Sequence, residues 1–220
     1  MDVHVGFVDA GFLHAEGARA LDEQRSQLRV RADEVVAWLD EVAEANPPAE
    51  LLRTYWYDAA FDHQHPEHGG QRRFLDAIGH TAGVQLRLGN VVERAPRIRR
   101  PLEEALRRTA EALDLDPDRV VTALEEHWDF RPERDQRGVD VLLTLDLVRL
   151  SHNRALDTAV VVAGDRWLAE VVRTCQDLGR RVLLALPRRQ SAATELLQLA
   201  DEVVEIPTAA LEQMLQPRPE

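Results

Sequence analysis

Short apolar runs alternate with amphipathic stretches along the chain. The run from His4 to Val8 (His-Val-Gly-Phe-Val) has strand length and Val/Phe content, and Asp9 ends it before Ala10-Gly11. This pattern predicts a buried strand. A helix is expected from Gly11 to Ala20, then a polar connection from Asp22 to Arg29. Val35, Val36, Leu39 and Val42 recur at helical spacing until Asn46-Pro47-Pro48 stops the helix. Leu51 to Tyr57 predicts a second strand, again closed by an acid, Asp58. A polar loop with three histidines (Phe61 to Gly70), a helix (Gln71 to His80) and a strand (Val84 to Leu88) follow. Pro101 to Trp128 is helical in pattern, and as a pair of helices it is too small to bury its own core. Arg131 to Gln136 is expected to be a charged loop. Gly138 to Leu150 is apolar nearly all round, which predicts a buried helix. Thr158 to Ala163 is the clearest strand, ending in Gly164-Asp165, and Gly179 suits the end of the next helix. A strand (Arg181 to Leu186), a helix through Leu196 and Leu197 and a short strand (Glu202 to Ile206) complete the pattern, with Gln216 to Glu220 expected to fray.

Strands alternating with helices predict an α/β fold with a mainly parallel central sheet covered on both faces. The expected organisation is a single domain over 1–215, with a helical insertion at about 101–130 and a tail at 216–220. In such folds, groups at the carboxyl ends of strands converge on one crevice. Three predicted strands end in Asp here: Asp9, Asp58 and Asp165. If the strands of Asp9 and Asp165 are neighbours, their carboxylates repel unless a proton or a cation sits between them. Hard oxygen ligands without cysteine suit Mg²⁺ or Mn²⁺. Each Asp alone is better explained as a turn former or helix cap, and it is Asp9 and Asp165 together that point to a site. Asp140 opens the apolar helix, where a carboxylate needs backbone amides or a cation as partner. Asp146, six residues on, points elsewhere and has Arg149 at i+3 as an ion-pair partner.

Composition narrows the classes. No apolar run approaches the roughly 20 residues of a membrane span, and the first residues, Met1-Asp2-Val3-His4, do not read as a signal peptide. The single cysteine, Cys175, excludes an internal disulfide and suits a reducing cytoplasm. A formal net charge of -12 removes long-range attraction to nucleic acid as a driving force, and leaves only local basic patches. All 27 basic residues are arginine. Arg97, Arg99 and Arg100 border the inserted helices, while Arg131, Arg134 and Arg137 precede the Asp140 helix, so these are the best placed to hold phosphate. His63, His65 and His68 suggest either a metal site or, with Pro66 and two glycines, a polar loop. No glycine-rich phosphate loop is present, which argues against dinucleotide and NTP enzymes.

Five segments in order carry a resemblance to a known family: Phe7-Val8-Asp9-Ala10-Gly11-Phe12-Leu13; Tyr55-Trp56-Tyr57-Asp58-Ala59; Leu86-Arg87-Leu88-Gly89; the stretch from Arg137 to Asp146; and Val162-Ala163-Gly164-Asp165. Together they resemble the NYN domain family of PIN-like proteins, from about residue 4 to about 206 outside the insertion. The resemblance implies a Rossmann-like three-layer α/β/α sandwich and a metal-dependent endoribonuclease. It implies a site of Asp9, Asp140 and Asp165 holding Mg²⁺ or Mn²⁺, with Asp146 as a further catalytic member. Single-stranded or structured RNA is the implied partner, bound through Arg97, Arg99, Arg100 and Arg137, and a homodimer is compatible with the pattern. One departure stands out. Where the family reads Gly-Asp-x-Asp, this chain has Gly164-Asp165-Arg166-Trp167, so an indole replaces an acid. The alternative is therefore a weakened or inactive relative that binds RNA or a protein.

Overall fold

The computed structural model describes residues 2–45, 49–94, 100–127 and 133–218. Among them the chain runs β1 (Asp2–Asp9), α1 (Ala10–Ala20), β2 (Leu28–Val30), α2 (Ala32–Glu44), β3 (Ala49–Ala60), α3 (His68–Gly79) and β4 (Val84–Arg94). It continues through α4 (Arg100–Ala112), α5 (Pro117–His127), β5 (Glu133–Arg137), α6 (Val139–His152), β6 (Thr158–Val162) and α7 (Leu168–Asp177). The last elements are β7 (Arg181–Leu186), α8 (Thr194–Leu199), β8 (Glu202–Glu205), α9 (Thr208–Met214) and β9 (Leu215–Pro217). The chain divides into two compact units, one of residues 1–90 and 136–220 and one of residues 91–135.

A seven-stranded sheet has the order β5-β4-β3-β1-β6-β7-β8, and every pairing from β4 to β8 is parallel. The expected α/β class with a mainly parallel sheet is the one found. Its middle strands are apolar on both faces because helices cover both. On one face Val8, Trp56, Val160, Val162, Leu183 and Ala185 join Leu13 of α1, Val35, Trp38 and Leu39 of α2, and Leu211 and Met214 of α9 in one core. On the other, Phe7 stacks on Tyr55 at 5.7 Å and Tyr55 on Tyr57 at 6.5 Å, and α6 packs across β1 and β3. The chain leaves β1 towards β3 on one side and returns as β6 on the other. The carboxyl ends of β1 and β6 therefore flank the point where strand order reverses, where such sheets open a crevice.

Three features depart from the pattern-based expectations. The charged segment expected as a loop forms β5 over residues 133–137. It is an edge strand, and edge strands take charged side chains because one row of their backbone groups faces solvent. The segment from Asp22 to Arg29 and the tail expected to fray also meet: β2 pairs antiparallel with β9, Leu28 opposite Pro217 and Val30 opposite Leu215. Arg218 continues the contact, its N–H donating to the Gln27 carbonyl at 2.8 Å. Finally, α6 is not buried all round. Leu143 and Leu147 face the core, but Val141 and Leu145 are 59% and 60% exposed.

The second unit contains α4 and α5. Ala110 and Val121 are buried within it, and Arg107 ties the helices by bonding Glu103 at 3.2 Å and Asp118 at 2.7 Å. Leu102, Leu113 and Leu115 are exposed. The insertion expected at about 101–130 lies inside this unit.

Candidate metal centre

Asp9, Asp140 and Asp165 come together although 131 and 25 residues separate them along the chain. One carboxylate oxygen from each lies within 4.8 Å of the other two. Each position has a local cause. Asp9 ends β1 and caps α1, its Oδ1 accepting the Phe12 N–H at 3.0 Å. Asp140 sits in the first turn of α6, which opens at Gly138 with φ 81°, a conformation only glycine takes without strain. Asp165 follows β6 after Gly164, whose missing side chain is essential: a Cβ there would stand 2.6 Å from the Ser191 carbonyl and 2.5 Å from the Phe12 ring.

The three differ in solvent access: Asp9 is buried, while Asp140 and Asp165 are exposed. Burial, with the charges of Asp140 and Asp165 adding to it, pushes the Asp9 carboxyl up to about 6, against the opposing pull of the Phe12 N–H. Asp140 is raised as well, by partial burial and then by Asp165. Among the described residues no arginine or histidine pairs with any of the three. A cluster of carboxylates without a basic partner among the described residues, offering only hard oxygen donors, fits a divalent cation of the Mg²⁺ or Mn²⁺ type. Among the described residues this is also the sole group of three or more acids, histidines or cysteines that could share a metal. The histidines at 63, 65 and 68 form none; His65 instead stacks on Phe61 at 4.0 Å, and His68 begins α3.

Asp146 stands apart from this cluster. It is buried, and its Oδ2 accepts Arg87 Nε at 2.8 Å and the Tyr57 hydroxyl at 3.3 Å, while Oδ1 accepts Arg149 Nη2 at 2.6 Å. The Arg87 guanidinium also lies 5.0 Å from the centre of the Tyr55 ring. Burial, and then the Asp146 charge, push the Tyr57 phenol up, so it remains a donor. These contacts brace α6 against β3 and β4. Asp58, the third acid expected at a strand end, is inside β3, which runs two residues further, to Ala60. Its Oδ1 accepts the Ala59 N–H at 2.8 Å and Gln136 Nε2 at 3.3 Å, and burial raises its pKa. Gln136 is a neighbour that the pattern did not single out; its Oε1 stands where a Cβ on Gly11 would be, 2.6 Å away.

Of the expected phosphate contacts, Arg97 and Arg99 lie outside the described residues, as does Arg131. Arg100 begins α4 in the second unit and pairs with Glu104 at 3.2 Å. Arg137 ends β5, exposed, three residues before Asp140. Trp167 is 40% exposed at the start of α7. It is no core residue.

Comparison with known proteins agrees with the fold and adds the family. The uncharacterized protein y4oD of Sinorhizobium fredii is 37% identical over 82 residues, which are 36% of this chain; the chain spans 38% of that relative's length. A crystal structure of a protein of unknown function from Vibrio parahaemolyticus superposes with a TM-score of 0.53 at 16% identity, covering 98% of this chain and 96% of that one. That likeness concerns the fold alone. The NYN domain matches residues 20–207, which include Asp140 and Asp165. Asp9 precedes the matched span, and it is the geometry that joins it to the other two. With a match over most of its length, the chain belongs to the NYN domain family.

Proposed function

We propose that this chain is a metal-dependent endoribonuclease that hydrolyses phosphodiester bonds, with Asp9, Asp140 and Asp165 as catalytic residues and ligands of one Mg²⁺ or Mn²⁺. The observation that carries this reading is the approach of three carboxylates to within 4.8 Å, with no arginine or histidine among the described residues paired to them. When bound, such a cation supplies Lewis acidity towards a phosphate oxygen and lowers the pKa of a bound water. The residues themselves divide the work. Asp9 is fixed by its bond to the Phe12 N–H, which holds its carboxylate towards the other two. Asp140 and Asp165 are open to solvent, so a phosphodiester can reach them. Arg137, and Arg97, Arg99 and Arg100 of the second unit, are the proposed phosphate contacts. The contacts of Asp146 favour a bracing role over the catalytic one that the family resemblance suggests.

Titration with Mn²⁺ by calorimetry, alongside cleavage of a labelled RNA, tests the proposal. The wild type should bind about one Mn²⁺ and cleave. Asp165→Asn should lose at least about tenfold in Mn²⁺ affinity, together with cleavage, since each ligand anion favours retention of the ion. An Asp165→Asn protein that binds Mn²⁺ and cleaves like the wild type overturns the assignment. Trp167, standing where the family has an acid, favours a second reading: a non-catalytic protein that binds RNA or a protein partner. RNA binding by a wild type that neither binds Mn²⁺ nor cleaves would support it.

A further inference from the structure

The outer face of α6 presents an unusual surface. Val141 and Leu145 stand one turn apart, each more than half exposed, and Trp167 faces them from the start of α7. With Thr144 and Asp140 they line an open groove of about 320 Å³. The groove is continuous with the acid cluster, because Asp140 belongs to both and Trp167 is two residues from Asp165. Exposed aliphatic and indole surface is costly to leave in water, and this patch lies beside the most anionic point of the crevice.

We propose that Trp167, Val141, Thr144 and Leu145 form a nucleobase subsite, which takes one unstacked base of a single-stranded RNA whose adjoining phosphate lies at Asp9, Asp140 and Asp165. The proposal rests on the nuclease reading of those acids and adds the substrate class. A base is the occupant that the groove favours. It offers a flat apolar face to the indole and the two aliphatic side chains, and a polar edge to the Thr144 hydroxyl. Its phosphate remains outside, next to the acids. A protein surface laid over the same patch would instead take Asp140 out of water beside Asp165, which is expensive for a carboxylate with no basic partner. Duplex RNA is disfavoured too, since both faces of its bases are already stacked and only a single strand can splay one out. The indole thus stands where the family has a carboxylate, and gives affinity for a base in place of charge.

Fluorescence anisotropy with a labelled single-stranded RNA 12-mer and its duplex, in Ca²⁺, provides the test, with Mn²⁺ calorimetry and sedimentation on the same variants. The wild type should prefer the single strand. Trp167→Ala should weaken its binding about 5- to 100-fold, while Trp167→Phe stays within about threefold because a ring remains. Leu145→Ser, at an exposed position, should weaken it in the same direction but less. Neither change should alter Mn²⁺ affinity. Single-strand binding by Trp167→Ala equal to the wild type overturns the subsite, and so does a wild-type dimer that Trp167→Ala dissociates, which would make the patch an interface between copies. The two readings separate cleanly. Weakened binding by Trp167→Ala in a protein that neither binds Mn²⁺ nor cleaves keeps the subsite and removes the nuclease, whereas cleavage with unchanged binding does the reverse.

Discussion

Two buried aspartates illustrate how the same side chain serves opposite ends. Asp9 is buried among anions and its carboxyl is raised to about 6 from an ordinary 3.8. Asp146 is equally buried but meets two arginines and a tyrosine hydroxyl. The signs of their contributions to stability should therefore differ. For Asp9 the folded state binds its proton more tightly than the unfolded chain, so stability falls as pH rises from about 4 through about 6, and the cost is full above that window. A shift of about two units corresponds to about 3 kcal/mol at most. Asp9→Asn, which keeps a capping side chain but cannot ionise, should be more stable than the wild type by about 1–3 kcal/mol at pH 7.5, without added metal, and nearly equal to it at pH 4. Asp146→Asn should lose about 1–3 kcal/mol at pH 7.5, leaving its arginines without a counter-charge, and keep wild-type Mn²⁺ affinity. Urea unfolding at the two pH values checks both. An Asp9→Asn no more stable than the wild type at pH 7.5 would mean that the carboxylate is not held against its charge.

At the level of elements, the parts legible in the sequence were those where burial leaves few alternatives. β1, β6 and β7 are apolar on both faces, and an acid or a glycine marks the exit of each of the first two, so their burial could be read from composition. The meeting of Asp9 with Asp165 followed only on the condition, met by the β1–β6 pairing, that their strands are neighbours. Asp140 could be read as helix-opening, and only the packing of α6 across β1 and β3 brings it to the other two. Other elements carry no such mark. The sequence of β5, Glu-Arg-Asp-Gln-Arg, has the charge of a loop, because an edge strand needs solvation more than burial. In α6 an all-round apolar pattern says that something covers the helix, without saying that one face would be left open beside the acids. Asp58 shows the limit of the strand-end rule: two further residues of β3 turn an apparent exit into an interior position, and the side chain bonds Gln136 instead of joining the cluster.

For the whole molecule, net charge and topology set the terms. With a formal charge of -12, the proposed RNA substrate would have to be drawn by a few local arginines and by a cation held at the acid site. The logarithm of affinity should then fall with log salt at a slope between about -1.4 and -2.8, the value for two to four phosphate contacts on a single strand. Charge reversal at Arg137 and Arg100 should flatten it. A slope steeper than about -4 in anisotropy titrations would require a larger basic surface than these residues provide. Topology has its own consequence, in the clasp between β2 and β9. It joins segments that are 190 residues apart at the Arg218–Leu28 contact, through strands of three residues each. Closing so long a loop gains little until both ends are already held by the core, so the clasp should assemble last and open first. Hydrogen exchange can follow this order: the amides of Arg31 and Arg218, bonded to the Met214 and Gln27 carbonyls, should exchange well before those of β1 and β6. Equal protection would mean that the clasp belongs to the cooperative core. If it opens first, α9 can peel from α2, so that partial unfolding begins in the helical layer that also holds α1, the helix that Asp9 caps.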